Sequence, residues 1–234
     1  IRKKTKVEGA QIEGDAASYS SDGKIEISTK TGFIEKYTSR DLIKSIRSLA
    51  AKTVRKLTRS GHEEFLFKVR DGGEHVVIQN HQLSGIIKEI FGVKKSKAGE
   101  ARLFRKSINQ WAVEKYKEGA VEIDIVYEKI TGHKPAGAQK VATAYQKAIS
   151  QGELPTRVNK ILKEYIKDIK SGKVNYGRGK EGYTTLELRK GLKNLDKLLS
   201  TKKDNVFEII NKGKKEKVTI DNATLETMVN YLLK

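Results

Sequence analysis

Between positions 40 and 59 the apolar residues recur with a helical period. At 100° per residue, Leu42, Ile46, Leu49, Ala50, Thr53 and Leu57 share one arc, while Arg40, Lys44, Arg47, Lys52, Arg55, Lys56 and Arg59 take the other. The pattern predicts a helix over 40–59 with one packed face and one cationic face, capped by Thr38 or Ser39. Upstream, Lys24-Ile-Glu-Ile-Ser-Thr-Lys30 alternates as a half-buried strand does, Thr31-Gly32 signals a turn, and Phe33-Ile-Glu-Lys-Tyr37 supplies the return strand. Residues 1–22 carry few large apolar groups to offset the entropy of ordering, so a flexible basic arm is expected there.

Downstream, Gly61 ends the helix, and Glu64-Phe-Leu-Phe-Lys-Val69 and Glu74-His-Val-Val-Ile78 flank Asp71-Gly72-Gly73, a hairpin signal. Asn80 can cap a helix over 81–91 that turns Leu83, Ile86, Ile87 and Ile90 inward. The same pattern returns 142 residues later without a gap. Ile46 falls on Leu188, Arg47 on Arg189, Ala50 on Leu192, Thr53 on Leu195 and Leu57 on Leu199. Through the hairpin, Phe65 falls on Phe207, Phe67 on Ile209, Val76 on Val218, Ile78 on Ile220 and Asn80 on Asn222. Leu83, Ile86, Ile87 and Ile90 meet Leu225, Met228, Val229 and Leu232. One amphipathic helix matches another easily by chance; a helix, two strands, a cap and a second helix in one register do not. The hairpin and helix over 24–49 resemble the ββα part of this unit, but only with gaps.

Between the copies the pattern is helical. Ala101 to Tyr116 places Leu103, Ile108, Trp111 and Ala112 near one face with Arg102, Arg105 and Lys106 beside it. A short apolar stretch, Val121 to Ile130, precedes helices expected over 138–150 and 155–171, the latter with Leu162, Tyr165, Ile166 and Ile169 as its stripe. The expected class is α+β and helix-rich, with two similar helix, β-hairpin, helix lobes flanking a helical middle region. The divisions are an arm over 1–22, an N-terminal lobe over 23–95, a helical middle over 96–172, a Gly-rich connector over 173–182 and a C-terminal lobe over 183–234 that repeats 42–91.

Charge adds the functional inference. The net charge is +19. The excess is spread along the chain, with 19 basic against 12 acidic residues in 1–95, 18 against 9 in 96–180 and 11 against 8 in 181–234. Such an imbalance calls for a polyanionic partner. There is no cysteine, which excludes disulfides, thiol catalysis and Cys-ligated zinc. No apolar run approaches the roughly 20 residues of a membrane span, and Ile1-Arg-Lys-Lys-Thr-Lys6 lacks the apolar core of a signal peptide. A cytoplasmic protein without a membrane partner is expected, in a host cytoplasm or inside a virion if its origin is viral or phage.

Catalytic chemistry finds little support, and neither a cofactor nor a metal is expected. His62, His75, His81 and His133 show no metal-ligand spacing. Gly177-Arg-Gly-Lys-Glu-Gly182 lacks the preceding strand and the Gly-Lys-Ser/Thr ending of a phosphate loop. A nuclease would need paired carboxylates at a strand end; Glu122 and Asp124 would project together from a strand over 121–126, with Lys129 after them, but no third ligand follows.

The expected function is therefore non-enzymatic nucleic-acid binding, mainly through the phosphate backbone, with duplex DNA ahead of RNA. A single Trp argues against a stacking platform for single strands. Candidate contacts are Arg40, Lys44, Arg47, Lys52, Arg55, Lys56 and Arg59, then Arg102, Arg105 and Lys106, and in the second copy Arg189, Lys190, Lys193 and Lys197. Lys173, Arg178 and Lys180 make the connector a candidate strap. Two other roles suit the profile: a terminal protein that primes viral DNA replication through a Ser, Thr or Tyr hydroxyl beside a polymerase partner, or a virion or nucleoprotein structural component.

Overall fold

A computed structural model describes residues 17–29, 32–53, 55–63, 65–92, 100–116, 121–132, 153–172, 185–201 and 203–233. It is α+β, with a three-stranded and a four-stranded antiparallel sheet. The elements are β1 (Ala17–Tyr19), β2 (Lys24–Thr29), β3 (Gly32–Tyr37), α1 (Arg40–Thr53), β4 (Lys68–Asp71), β5 (Glu74–Val77), α2 (Asn80–Phe91) and α3 (Glu100–Tyr116). There follow α4 (Val121–Asp124), which runs into a π-helical segment (Ile125–Ile130), then α5 (Leu154–Ser171), α6 (Thr185–Ser200), β6 (Asn205–Asn211), β7 (Lys214–Ile220) and α7 (Asn222–Leu233). Among the described residues no helix is long and apolar enough to cross a membrane.

The first sheet is a meander, with β2 and β3 paired from Lys24 opposite Tyr37 to Thr29 opposite Gly32. Residues 17–19, assigned to the arm by composition, pair with β2 as an edge strand, Ser18 opposite Glu26. The Ser39 hydroxyl then accepts the Leu42 N–H at 3.1 Å and caps α1. Leu42, Ile43, Ile46, Leu49 and Ala50 enclose a small core with Ile25 and Leu66.

Helix α1 stops at Thr53, not at 59. Beyond it the chain runs along β5: the His75 N–H donates to the Leu57 carbonyl at 2.9 Å and the Arg59 N–H to the His75 carbonyl at 3.1 Å. Residues 57–59 thus satisfy their backbone against the edge of the sheet instead of in a helix. Leu57, assigned to the packed stripe, is 70% exposed, while Leu66 is 2% exposed and lies in the core with α1.

Both copies of the unit show the helix, hairpin, helix order, but the hairpins do not stand apart. They join in one sheet of order β5-β4-β7-β6, with Arg70 opposite Thr219. Each copy's first helix lies against the other's second helix, α1 on α7 and α2 on α6. The α2–α6 contact is close because position 191 is glycine: a Cβ there would fall on the Phe91 ring. Nearby, the Asn194 side chain donates to the Ile90 carbonyl at 3.0 Å.

The offset of 142 does not carry through the hairpin. Asp71 faces Glu74 across one two-residue turn and Asn211 faces Lys214 across the other, so the two hairpins correspond at an offset of 140 and Val69 falls on Ile209. A slip of two residues keeps every side chain on the same face of a strand, which is why the alternation did not reveal it. The caps also sit one residue earlier than expected. Before α2 the Gln79 N–H donates to the Gln82 side chain at 2.9 Å, and before α7 Asp221 accepts the Thr224 N–H at 3.0 Å.

The main core runs from Tyr37 to Leu233 and draws on β4, β5, β6, β7 and every helix after α1. The middle region is clasped by polar contacts at its margin. Buried Trp111 donates its indole N–H to Asp168 at 3.1 Å, and the Tyr165 hydroxyl donates to Ser107 at 3.0 Å, tying α3 to α5.

Candidate nucleic-acid interface

Arg40, Lys44 and Arg47 are exposed on α1 and fall within an arc of about 60°. Among the described residues none of them lies within ion-pair distance of a carboxylate. The same holds for Lys52, on the last turn of α1, and for Arg55, which follows the helix; both are exposed. These five form the open part of the predicted surface.

Lys56 and Arg59 are engaged elsewhere. The Lys56 ammonium is 2.7 Å from the Asp221 carboxylate, a pair largely withdrawn from solvent. Burial pushes Asp221 upward, but the Lys56 ammonium and the Thr224 N–H and hydroxyl outweigh it and hold the carboxyl below its usual range. Arg59 bridges Asp71 at 2.8 Å and Glu74 at 3.0 Å and fastens the segment after α1 to the first hairpin. Both are structural ties, because the helix that would have carried them outward ends before they are reached.

On α3, Arg105 is exposed, while the side chains of Arg102 and Lys106 lie outside the described residues. Arg105 faces Lys36, which is buried; burial first, and the guanidinium second, pull the Lys36 ammonium below its ordinary range. On α6, Lys190, Lys193 and Lys197 are exposed within an arc of about 60°. Arg189 is half-buried, its guanidinium against Gly172 at the end of α5, where a cation complements the helix C-terminus.

A row absent from the predicted set lies on α5. Lys160, Lys163, Lys167 and Lys170 are all exposed. Their spacing of three, four and three residues places them opposite buried Val158, Ile161, Leu162, Tyr165 and Ile169. The signal was in the sequence, as the complement of the apolar stripe. Lys163 approaches Asp41 of α1 at 3.5 Å and Lys170 approaches Asp196 of α6 at 3.2 Å. Between α1, α5 and α7 a cleft of about 340 Å³ opens, lined among others by Leu42, Leu162, Ile166, Leu233, Asn230 and Glu226. Lys212, Lys214 and Lys215 form a separate exposed basic tip at the β6–β7 turn.

The carboxylate pair of the nuclease alternative does not come together as a strand would place it. Glu122 and Asp124 lie on helix, not strand, so they point about 160° apart. Burial, and then Glu128, push the Asp124 carboxyl up, and one of its oxygens is buried without a hydrogen-bond partner. Among the described residues no group of three or more His, Asp or Glu could hold a metal ion. His62 accepts the Val77 N–H at 2.9 Å, His75 is buried, and His81 meets Glu216 at 3.0 Å. His133, the helix expected over 138–150, the arm before Ala17 and the connector 173–182 with Lys173, Arg178 and Lys180 lie outside the described residues. No protein-family model, curated protein or solved structure matches this chain.

Proposed function

We propose that this chain binds nucleic acid through the phosphate backbone, without chemistry of its own, and takes duplex DNA ahead of RNA. The observation that carries the reading is the contrast between two classes of basic residue on and after α1. Lys56 and Arg59, where the chain turns back onto the sheet, are neutralised by carboxylates at 2.7–3.0 Å. Arg40, Lys44 and Arg47 stand in a row at three- and four-residue spacing with no acid at ion-pair distance among the described residues. Like charges at that spacing repel and cost an isolated helix a few tenths of a kcal/mol per pair. A surface that keeps them suits a partner that supplies the negative charge.

Phosphate binding of this kind releases counterions, so log K falls with log salt at a slope of about −0.9 per phosphate neutralised. Titration of labelled duplex DNA at a series of salt concentrations measures that slope. Reversing Arg40, Lys44 and Arg47 to Glu is expected to weaken binding to all sequences alike and to make the slope shallower by about 3. Binding indifferent to the triple reversal would remove α1 as the contact. No binding to DNA or RNA at low salt would remove the function.

A further inference from the structure

We infer that α1, α5 and α6 form one continuous cationic face and that a single nucleic-acid duplex lies across it, with α5 in the middle. The inference rests on the nucleic-acid reading above and names the geometry of its ligand. Helix α5 is basic along one whole side and is joined by ion pairs to the helices of both other rows. Lys160, Lys163, Lys167 and Lys170 occupy an arc of about 80° opposite the buried face. Two ion pairs fix their neighbours: Lys163 with Asp41, on the helix of Arg40, Lys44 and Arg47, and Lys170 with Asp196, on the helix of Lys190, Lys193 and Lys197.

Both pairs are exposed, with each side chain retaining between about half and two thirds of its free surface. Pairs of this kind contribute little in water and yield readily to a stronger anion. They neutralise two lysines of the central row and leave Lys160 and Lys167 without a carboxylate at ion-pair distance among the described residues. The acids that could cancel the row are turned away: Glu164 and Asp168 of α5 meet Lys115 of α3 at 3.4 and 3.5 Å. The sequence therefore segregates α5 into an acid-bearing side that binds α3 and a purely basic side that faces out.

The dimensions suit a duplex. From Lys160 to Lys170 the helix advances about 15 Å, at 1.5 Å per residue, which covers four to five base pairs at about 3.4 Å each. Among the described residues the face also lacks what a single strand would need. Its cleft is walled by Leu42, Leu162, Ile166 and Leu233 rather than by rings. Trp111 and Tyr165, on the inner side of α3 and α5, are fully buried against each other. With no ring among the described residues of this face on which a base can stack, backbone charge is the means of binding, and a duplex offers it at the higher density.

The test uses the full chain and a labelled 30-base-pair duplex, with one of its strands alone for comparison, over a series of salt concentrations. Three variants are compared: Lys160→Glu with Lys167→Glu on α5, the triple Glu variant of α1, and Lys190→Glu, Lys193→Glu and Lys197→Glu on α6. All these residues are exposed, so thermal unfolding should be unchanged and will verify that each variant is folded. The α5 pair is expected to lower duplex affinity at least tenfold near 0.1 M salt and to make the slope shallower by about 2. The α1 and α6 variants should each weaken the same complex, at one duplex per chain.

If the α1 variant weakens binding and the α5 pair does not, the continuous face is refuted while the nucleic-acid reading stands. Two duplexes per chain, or tighter binding to the single strand, would also overturn it. If the unaltered chain binds neither form, both inferences fall together.

Discussion

His75 shows how a single side chain can set the response of the fold to acid. Its ring lies in the sheet beside the Lys56–Asp221 pair. Burial first, then the charges of Lys56, Arg70 and Lys68, pull its pKa below the ordinary 6.5, with Asp221 opposing them. The folded protein therefore holds His75 neutral where the unfolded chain, near 6.5, has begun to protonate. Stability from this residue is fully present above pH 6.5 and is lost as pH falls from there through the folded-state pKa. Asp221 adds nothing in that window, because its own depressed pKa makes its contribution disappear only as pH falls below the carboxylate range. The expected outcome is that the gap in melting temperature between the unaltered chain and His75→Gln narrows steadily from pH 7.5 to pH 5. A gap constant over that range would show that His75 protonates equally well folded and unfolded.

At the scale of elements, the hydrophobic pattern located nearly every described helix and strand and misplaced several ends. The helix over 155–171 was legible because its apolar residues face a single core with a single period, and the hairpin over 24–37 because its alternation flanks the Thr31-Gly32 turn signal. The last six residues of the helix predicted over 40–59 were not, because Leu57 continues the helical period although the backbone leaves it. What ends α1 is a long-range event, the pairing of residues 57–59 with His75, which no local period encodes. The consequence is measurable. Leu57→Ser is expected to leave the unfolding midpoint almost unchanged, since the side chain is 70% exposed, whereas Leu66→Ala should cost about 2–4 kcal/mol by opening a cavity between α1 and β2. Equal losses in denaturant unfolding of the two variants would place both leucines in the core. The candidate contacts follow the same logic: Arg40, Lys44 and Arg47 were legible because they lie within the true helix. Lys56 and Arg59 lie beyond its end, and the acids that engage them, Asp221, Asp71 and Glu74, come from distant strands and turns.

At the scale of the whole molecule, the order helix, hairpin, helix was legible twice over in the pattern, but the way the two hairpins assemble was not. Apolar alternation says which face of a hairpin is buried and nothing about which edge meets which. The chain resolves that choice by pairing β4 with β7 and by setting each copy's first helix against the other copy's second. The main core is then closed only by both halves together. The residues buried together run from Tyr37 to Leu233, and the Lys56–Asp221 pair joins positions 165 apart in the sequence. A cut at the connector would strip β7 of its β4 neighbour, α6 of Phe91 and Ile90, and α7 of α1. The 183–234 piece would also fall near or below the size at which a lone core offsets chain entropy. The intact chain is therefore expected to unfold in denaturant with one cooperative transition for its four-stranded sheet. The separate 183–234 piece should show no such transition and little fixed near-ultraviolet signal, and mixing it with 1–182 should restore both. A cooperative transition in 183–234 alone, at the midpoint of the intact chain, would mean that each copy is a self-sufficient lobe. The shared sheet would then be a contact between two folded units rather than the structure that makes either of them fold.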